Sequence, residues 1–413
     1  MVRRGSFLGC LLLLACSPET EKVSQDEVTT DPNAVTYYED VAPILYENCV
    51  GCHRPGTITP FSLTDYASAK EHGIEIVVHT ADRHIPPMPV DNSGACNTYS
   101  NARWLTETEL QTLADWVDQG SLEGNPLAAP ALPEPPAGLT APSATLDPGF
   151  EYLPNAALAD DYRCFVLPAP VQQDAYVTAY EVVPGDPRVV HHVIIYQPSD
   201  DVDVVDAEAL DAAEPGEGYT CFGGPGVSSD PLVLWAPGGG VVHQPEGTGV
   251  LLAGHRKLVM QVHYNLDGGS FPDRSRVLLE LQSSVATLAK YQPVADTKMQ
   301  LAPGLPMVET QSTFETDPFP VTVYGVMPHM HTLGRTLRVD VDADNTSTCL
   351  VSVDRWSFHW QNAWWYTTPL SFRRVDAASI RCGFDTSTRD ETVTWGEGTM
   401  DEMCLSYLYI SSP

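Results

Sequence analysis

From residue 148 onward the chain is written in short apolar runs that alternate or carry β-branched residues, each closed by Gly, Pro or Asp. "YVTAYEVV", "VVHHVIIY", "KLVMQVHYNL", "RVLLELQ", "VTVYGVM" and "LRVDVDA" are the clearest. Alternation with period two sets one strand face against a core and the other in water, and Val, Ile, Tyr and Thr suit that pleated surface. The length of this region predicts two tandem antiparallel β-sandwiches, jelly-roll-like, over 148–288 and 289–413. Residues 36–122 read differently. In "WLTETELQTLADWVDQGS" Leu110, Leu113, Ala114 and Val117 fall on one helical face, and Thr106 with Glu109 makes a capping box. This is a small α-helical domain. The Pro-rich stretch 123–147 predicts a semi-rigid linker, and the polar stretch 16–35 a tether, so the fold class is mainly β with a helical domain in front.

The first residues, "MVRRGSFLGCLLLLACS", pair Arg3 and Arg4 with an apolar run too short to span a membrane. They predict a signal peptide over 1–15. "LLAC" resembles a bacterial lipobox, with Cys16 as the lipidated first residue of the mature chain; an ordinary signal peptide cut nearby is the alternative. The expectation is an exported protein on the bacterial cell envelope, touching membrane only through its lipid and free to form disulfides. Composition adds two points. The 35 Pro and 30 Gly favour many turns over long helices, and 54 acidic against 22 basic residues, a net charge of −32, exclude a nucleic-acid partner.

"ENCVGCHRPG" holds Cys49, Cys52 and His53 at the spacing of c-type haem attachment. Two thiols reach the vinyl groups while the adjacent imidazole turns under the iron. A redox CxxC pair needs no following His, and a zinc site would want a second Cys or His pair nearby. The sixth ligand is open between Met88 in "HIPPMPVD", which would raise the potential, and His79 or His84. Met88 is the expectation. Residues 36–122 resemble a small cytochrome c domain throughout.

The β region gathers unusual side chains. His191 and His192 are adjacent in "VVHHVIIY", His263 lies in "MQVHYN", His329 and His331 in "VYGVMPHMHTLG", and Met403 in "GTMDEMCLSYLYI". His329 and His331, at i and i+2, share a strand face. Adjacent strand histidines point to opposite faces, so one metal takes both His191 and His192 only at a twisted strand end; one buried and one solvated His is the plain alternative. Five histidines and a thioether, with no carboxylate at ligand spacing, point to copper rather than zinc.

"HHVIIY", "QVHYN", "PHMHTLG" and "GTMDEMC" together resemble the motifs of the type II copper, ascorbate-dependent monooxygenases, which include peptidylglycine α-hydroxylating and dopamine β-monooxygenases. The likeness covers about 155–410. It implies two copper ions. His191, His192 and His263 would hold one on the first sandwich. His329, His331 and Met403 would hold the other, where O₂ and substrate meet, and are the implied catalytic residues. It also implies disulfides Cys164–Cys221 and Cys382–Cys404, the latter pinning the strand that presents Met403. Cys96 and Cys349 are left over, as a bridge or as two free thiols. Peptide-amidating members carry an Arg where this chain has Met327 and an Asn where it has Leu405, while Tyr407 is kept, so the resemblance does not extend to peptide amidation. The aromatic stretch "WSFHWQNAWWY", Trp356 to Tyr366, would line an apolar pocket or pack an edge strand; edge packing is the expectation.

Together these readings give an oxidoreductase: a copper monooxygenase hydroxylating a C–H bond of a small organic substrate with O₂. Its electrons come from ascorbate or a respiratory redox protein, passed on by its own haem c. The rivals are a non-catalytic haem and copper electron-transfer or redox-sensing lipoprotein, and a sandwich that binds metal without turnover.

Overall fold

The computed structural model describes residues 34–412 apart from 56–58, 60, 89, 136, 237–239, 359, 397 and 399. The expected signal peptide, Cys16 and nearly all of the tether lie outside the described residues. No helix among those described is long and apolar enough to cross a membrane.

A π-helical turn, Tyr37–Val41, runs into helix Ala42–Asn48, and helices Tyr66–Glu71, Gly73–Ala81 and Glu107–Asp118 complete the N-terminal segment. The capping box forms: Thr106 Oγ1 accepts from the Glu109 N–H at 3.2 Å, and the Glu109 carboxylate accepts from the Thr106 N–H at 2.7 Å. The buried ridge of the last helix is Leu113 and Trp116, flanked by half-buried Leu110 and Val117. Trp116 outranks Ala114 because its rings fill the space over Tyr37 while its N–H donates to Leu122 O at 2.9 Å.

The first sandwich faces a five-stranded antiparallel sheet against part of a much larger one. The smaller sheet runs in the order Tyr219–Thr220, Asp160–Leu167, Leu258–Asn265, Val190–Pro198, Ser229–Trp235. Phe165, Val193, Ile195 and Met260 from it pack on Val177, Tyr180, Leu252 and Leu279 of the larger sheet. Each such side chain contributes about 1.5–3 kcal/mol on burial, so this shared core is what holds the two layers face to face.

The larger sheet has eleven strands and does not stop at the expected boundary near 288. Strand Thr287–Ala295 pairs on one side with Thr248–Leu252 of the first sandwich and on the other with Leu405–Ser411 of the second. The first of these pairings is parallel, a departure from the all-antiparallel expectation. In the second sandwich, strands Val308–His329 and Trp364–Phe384 pair from Val308 to Val326, with register shifts at Glu315/Phe319, Phe319/Val321 and Val323/Gly325. One half of this ribbon pairs with Gly334–Ala343, the other with Leu405–Ser411. Bulges let a long strand bend, and Val323, Leu408 and Ile410 of one half share a core with Val339, Val341 and Ile380 of the other.

The helical segment is not hung on a free linker. Residues 90–101 form a strap across the second sandwich. Val90 bridges to Val353 and Tyr99 to Tyr366, the Asp91 N–H donates to Ser352 O at 2.9 Å, and Ser100 N–H to Trp365 O at 2.8 Å. Asn97 donates to Cys349 O and Leu350 O, and Cys96 is disulfide-bonded to Cys349. Val90 and Tyr99 thereby join the core of the second sandwich. The linker also proves shorter than 123–147, because Ala144–Leu146 already pairs with Arg276–Gln282 at a sheet edge. Two further disulfides, Cys164–Cys221 and Cys382–Cys404, join the pairs that the resemblance implied.

Candidate metal centre

His191 and His192 reach the same side through a β-bulge. Between the pairs Val190↔Tyr264 and His192↔His263 the register shifts, so two residues oppose one and strict alternation is suspended. The ligand atoms of His191, His192 and His263 then lie within 4.8 Å of one another. His263 is fixed on both flanks. Its ring stacks on Tyr162, its cross-strand partner, at 4.0 Å, and its Nε2–H donates to Asp160 Oδ1 at 2.8 Å. That bond turns Nδ1 inward. His263 Nδ1 and His191 Nδ1 are buried with no hydrogen-bond partner. A buried nitrogen left unsatisfied costs about 1–3 kcal/mol, and coordination of a metal removes that cost.

The second set is built at the end of Val308–His329 and the loop before Leu405–Ser411. His329 Nδ1–H donates to Gln361 Oε1 at 2.6 Å and His331 Nδ1–H to Asp401 O at 3.1 Å, which leaves both Nε2 atoms for a ligand. Met403, buried, lines the same cavity. It sits in the loop rather than on the strand, one residue before the Cys382–Cys404 disulfide that ties this loop to Trp364–Phe384. Glu402 is fully buried and accepts from the backbone N–H groups of His331 at 2.9 Å, Leu333 at 2.6 Å and Met403 at 3.2 Å. One carboxylate therefore locks both ligand-bearing segments together.

The two sets face each other. The rings of His192 and His329 are 6.4 Å apart, and Phe358 stacks on His191 at 4.4 Å while lying 6.1 Å from His331. The aromatic stretch thus serves both readings given to it. Phe358, Gln361, Asn362 and Ala363 attend the centre or its cavity, whereas Trp364 and Tyr366 fill the second core and Trp365 the first. Asp160 and Glu402 were not foreseen as parts of the site, and Phe358 and Gln361 only as members of the aromatic stretch. Asp160 is one acid among 54 acidic residues, and the only cue to it is its place at the start of a strand that pairs with His263's.

Burial pushes all five imidazoles toward the neutral form that binds metals. His191 and His192 fall well below the ordinary histidine value through desolvation and the neighbouring histidines, and His263 falls through desolvation, opposed by Asp160. Desolvation takes His329 to about 4; desolvation, then His329, takes His331 to about 3. A depressed folded-state value means that stability is full above about pH 6.5, the unfolded value, and is lost as pH falls toward the folded one. Metal-free protein will therefore lose stability between pH 6.5 and about 4 at His329, and down to about 3 at His331. The slope is about 1.4 kcal/mol per pH unit for each group. Urea midpoints measured across this range check it, and a flat profile would contradict it.

At the haem-type motif, Cys49, Cys52 and His53 follow helix Ala42–Asn48 in a turn closed by Cys52 N–H and His53 N–H bonds to Cys49 O. Among the described cysteines these two alone are not in disulfides. His53 Nδ1–H donates to Phe61 O at 3.3 Å, so that bond does not engage Nε2. Arg103 donates to Cys52 Sγ at 3.7 Å and lines a small cavity with buried Met88. His79 and His84 are exposed.

Two facing imidazole sets, a thioether and an apolar cavity at the junction of two sandwiches define a metalloprotein of redox type. Residues 152–268 match the copper type II ascorbate-dependent monooxygenase family in its N-terminal domain and residues 288–411 match it in its C-terminal domain. The two matches span more than half of the chain, which belongs to that family. Its relatives include tyramine beta-hydroxylase of Caenorhabditis briggsae, 23% identical over 60% of this chain and 45% of the relative. Dopamine beta-hydroxylase of Equus caballus is 24% identical over 57% and 43%, and the putative DBH-like monooxygenase protein 2 of Homo sapiens 25% over 60% and 52%. The chain spans about half the length of these relatives. Among solved structures, that of the infectious bursal disease virus Gx strain superposes with a TM-score of 0.20 at 8% identity, covering 65% of this chain and 71% of that one, too loosely to bear on the fold.

Proposed function

We propose that the chain is a copper-dependent monooxygenase that hydroxylates a C–H bond of a small organic molecule. The overall change is R–H + O₂ + 2e⁻ + 2H⁺ → R–OH + H₂O: the C–H bond breaks, one oxygen atom enters it, and the other leaves as water. The observation that carries this reading is the pair of neutral imidazole sets facing each other, one of them on an apolar cavity. Copper, when bound, supplies one-electron chemistry toward O₂. His191, His192 and His263 would hold one ion, and His329, His331 and Met403 the other. Asp160 and Gln361 orient imidazoles, and Phe358 packs on His191 beside His331. The test is copper-loaded protein reduced without oxygen, then given ¹⁸O₂ and a panel of small organic compounds. One ¹⁸O atom in a product supports the reading; reoxidation with unlabelled compounds leaves electron transfer or redox sensing as the function.

The electrons are proposed to enter through a haem c held by Cys49, Cys52 and His53, with Met88 as its second axial ligand. Haem supplies single electrons from ascorbate or a respiratory donor. The strap supports this assignment. Trp365 N–H donates to Asn101 Oδ1 at 3.0 Å and Asn101 Nδ2 to Ala363 O at 2.7 Å, so the chain leaving Met88 is bonded to the segment that lines the metal cavity. When protein with reduced haem and Cu(II) is mixed without added reductant, haem oxidation will match loss of the Cu(II) EPR signal. Haem that stays reduced for minutes beside Cu(II) excludes the relay.

A further inference from the structure

The cavity shared by His192, His329, His331 and Met403 measures about 120 Å³. Its wall is mostly apolar, made chiefly by Ile194, Leu234, Trp235, Val242, Met327 and Leu405, with Tyr196 and Tyr407 beside them. No Asp, Glu, Lys or Arg lines it among the described residues. In a chain with 54 acidic and 22 basic residues that exclusion is selective. The amides nearby are committed inward: Gln261 donates to Cys221 O and Gln361 to Phe358 O, both at 2.8 Å, and Asn362 Oδ1 accepts from the Ala363 N–H.

We propose that this cavity selects an uncharged, largely hydrocarbon substrate of about the size of one substituted benzene ring. The inference rests on the monooxygenase reading and names the substrate class for it. An ammonium or carboxylate entering here would shed its hydration with no charged side chain to meet it, whereas an apolar molecule releases water at no such cost. The size follows from the volume: an apolar cavity of about 150 Å³ accepts benzene, so one of about 120 Å³ takes at most a single ring, with its substituent directed toward the mouth. Met327 is the residue best placed to change the preference. It precedes His329 by two on the same strand face, so its side chain enters the wall beside the ligand.

The test uses the full chain loaded with Cu(I) under argon, where no turnover occurs. Ethylbenzene, phenethylamine and 3-phenylpropanoate are titrated in turn and followed by saturation-transfer NMR. Ethylbenzene will bind at least about ten-fold more tightly than either charged compound. In Met327→Arg protein the order of ethylbenzene and 3-phenylpropanoate will invert; should that variant not fold, the titration of the parent stands alone. A charged compound binding as tightly as ethylbenzene, or no binding by any of the three, overturns the proposal. Bound ethylbenzene without ¹⁸O product on admitting O₂ defeats the monooxygenase reading but leaves the cavity's selectivity standing. ¹⁸O found only in a charged compound does the reverse.

Discussion

Replacing His263 with alanine will lower the copper content from two ions to one and cut product formation by at least about 100-fold. His263 is the central member of the first set. Its ring lies 4.8 Å from each of the rings of His191 and His192, and its Nδ1 is buried without a partner. Alanine removes that nitrogen together with the bond that Asp160 accepts from His263 at 2.8 Å. The second set shares no ligand with the first, so its copper will remain. Integrated EPR intensity and elemental analysis report the count. Asp160→Asn is the companion variant: it keeps an acceptor oxygen but loses the charge, and should weaken the first copper by about 10–100-fold without abolishing it. Two tightly held coppers in His263→Ala would remove His263 from the ligand set.

Glu402→Ala will cost about 3–9 kcal/mol of stability and release the second copper. The carboxylate is fully buried and satisfies three backbone N–H groups on two chain segments. Each donor left bare in the interior costs about 1–3 kcal/mol. The methyl side chain offers no acceptor, and the position is fully buried. Met403 and His331 lose their common anchor, so the geometry that presents them loosens. Glu402→Gln retains one acceptor oxygen and should lose roughly half as much. Denaturant midpoints with m-values, paired with copper counts, separate the two effects. Unchanged stability in the alanine variant would mean that the three bonds carry no weight.

Much of this was legible in the chain because the governing physics is local. Period-two runs gave the strands, Thr106 and Glu109 gave a helix start, and i,i+2 spacing put His329 and His331 on one face. What the sequence hid is non-local. Strict alternation separates His191 from His192, and only the register shift opposite His263 brings them together. Nothing in the run Thr287–Ala295 says that it pairs with both sandwiches and fuses their sheets. Glu402 looks like one more surface acid until the chain folds three N–H groups around it. The disulfides Cys164–Cys221 and Cys382–Cys404 came from resemblance to a family, while Cys96–Cys349 needed the strap's path, which has no periodicity to announce it.

That strap also decides how the molecule can be divided. Strand Thr346–Val353 is the last strand at one end of the eleven-stranded sheet. Val90, Asp91 and Asn97 cover it, with bonds to Val353, Ser352, Leu350 and Cys349. A bare edge strand is a template for pairing with another chain. A shortened protein beginning at the first β-strand would uncover that edge together with the apolar seat of Val90 and Tyr99, and leave Cys349 as an unpaired thiol beside it. Such a fragment would polymerise edge to edge and cross-link through sulfur. In the intact chain the strap within the helical segment covers that edge and pairs that sulfur.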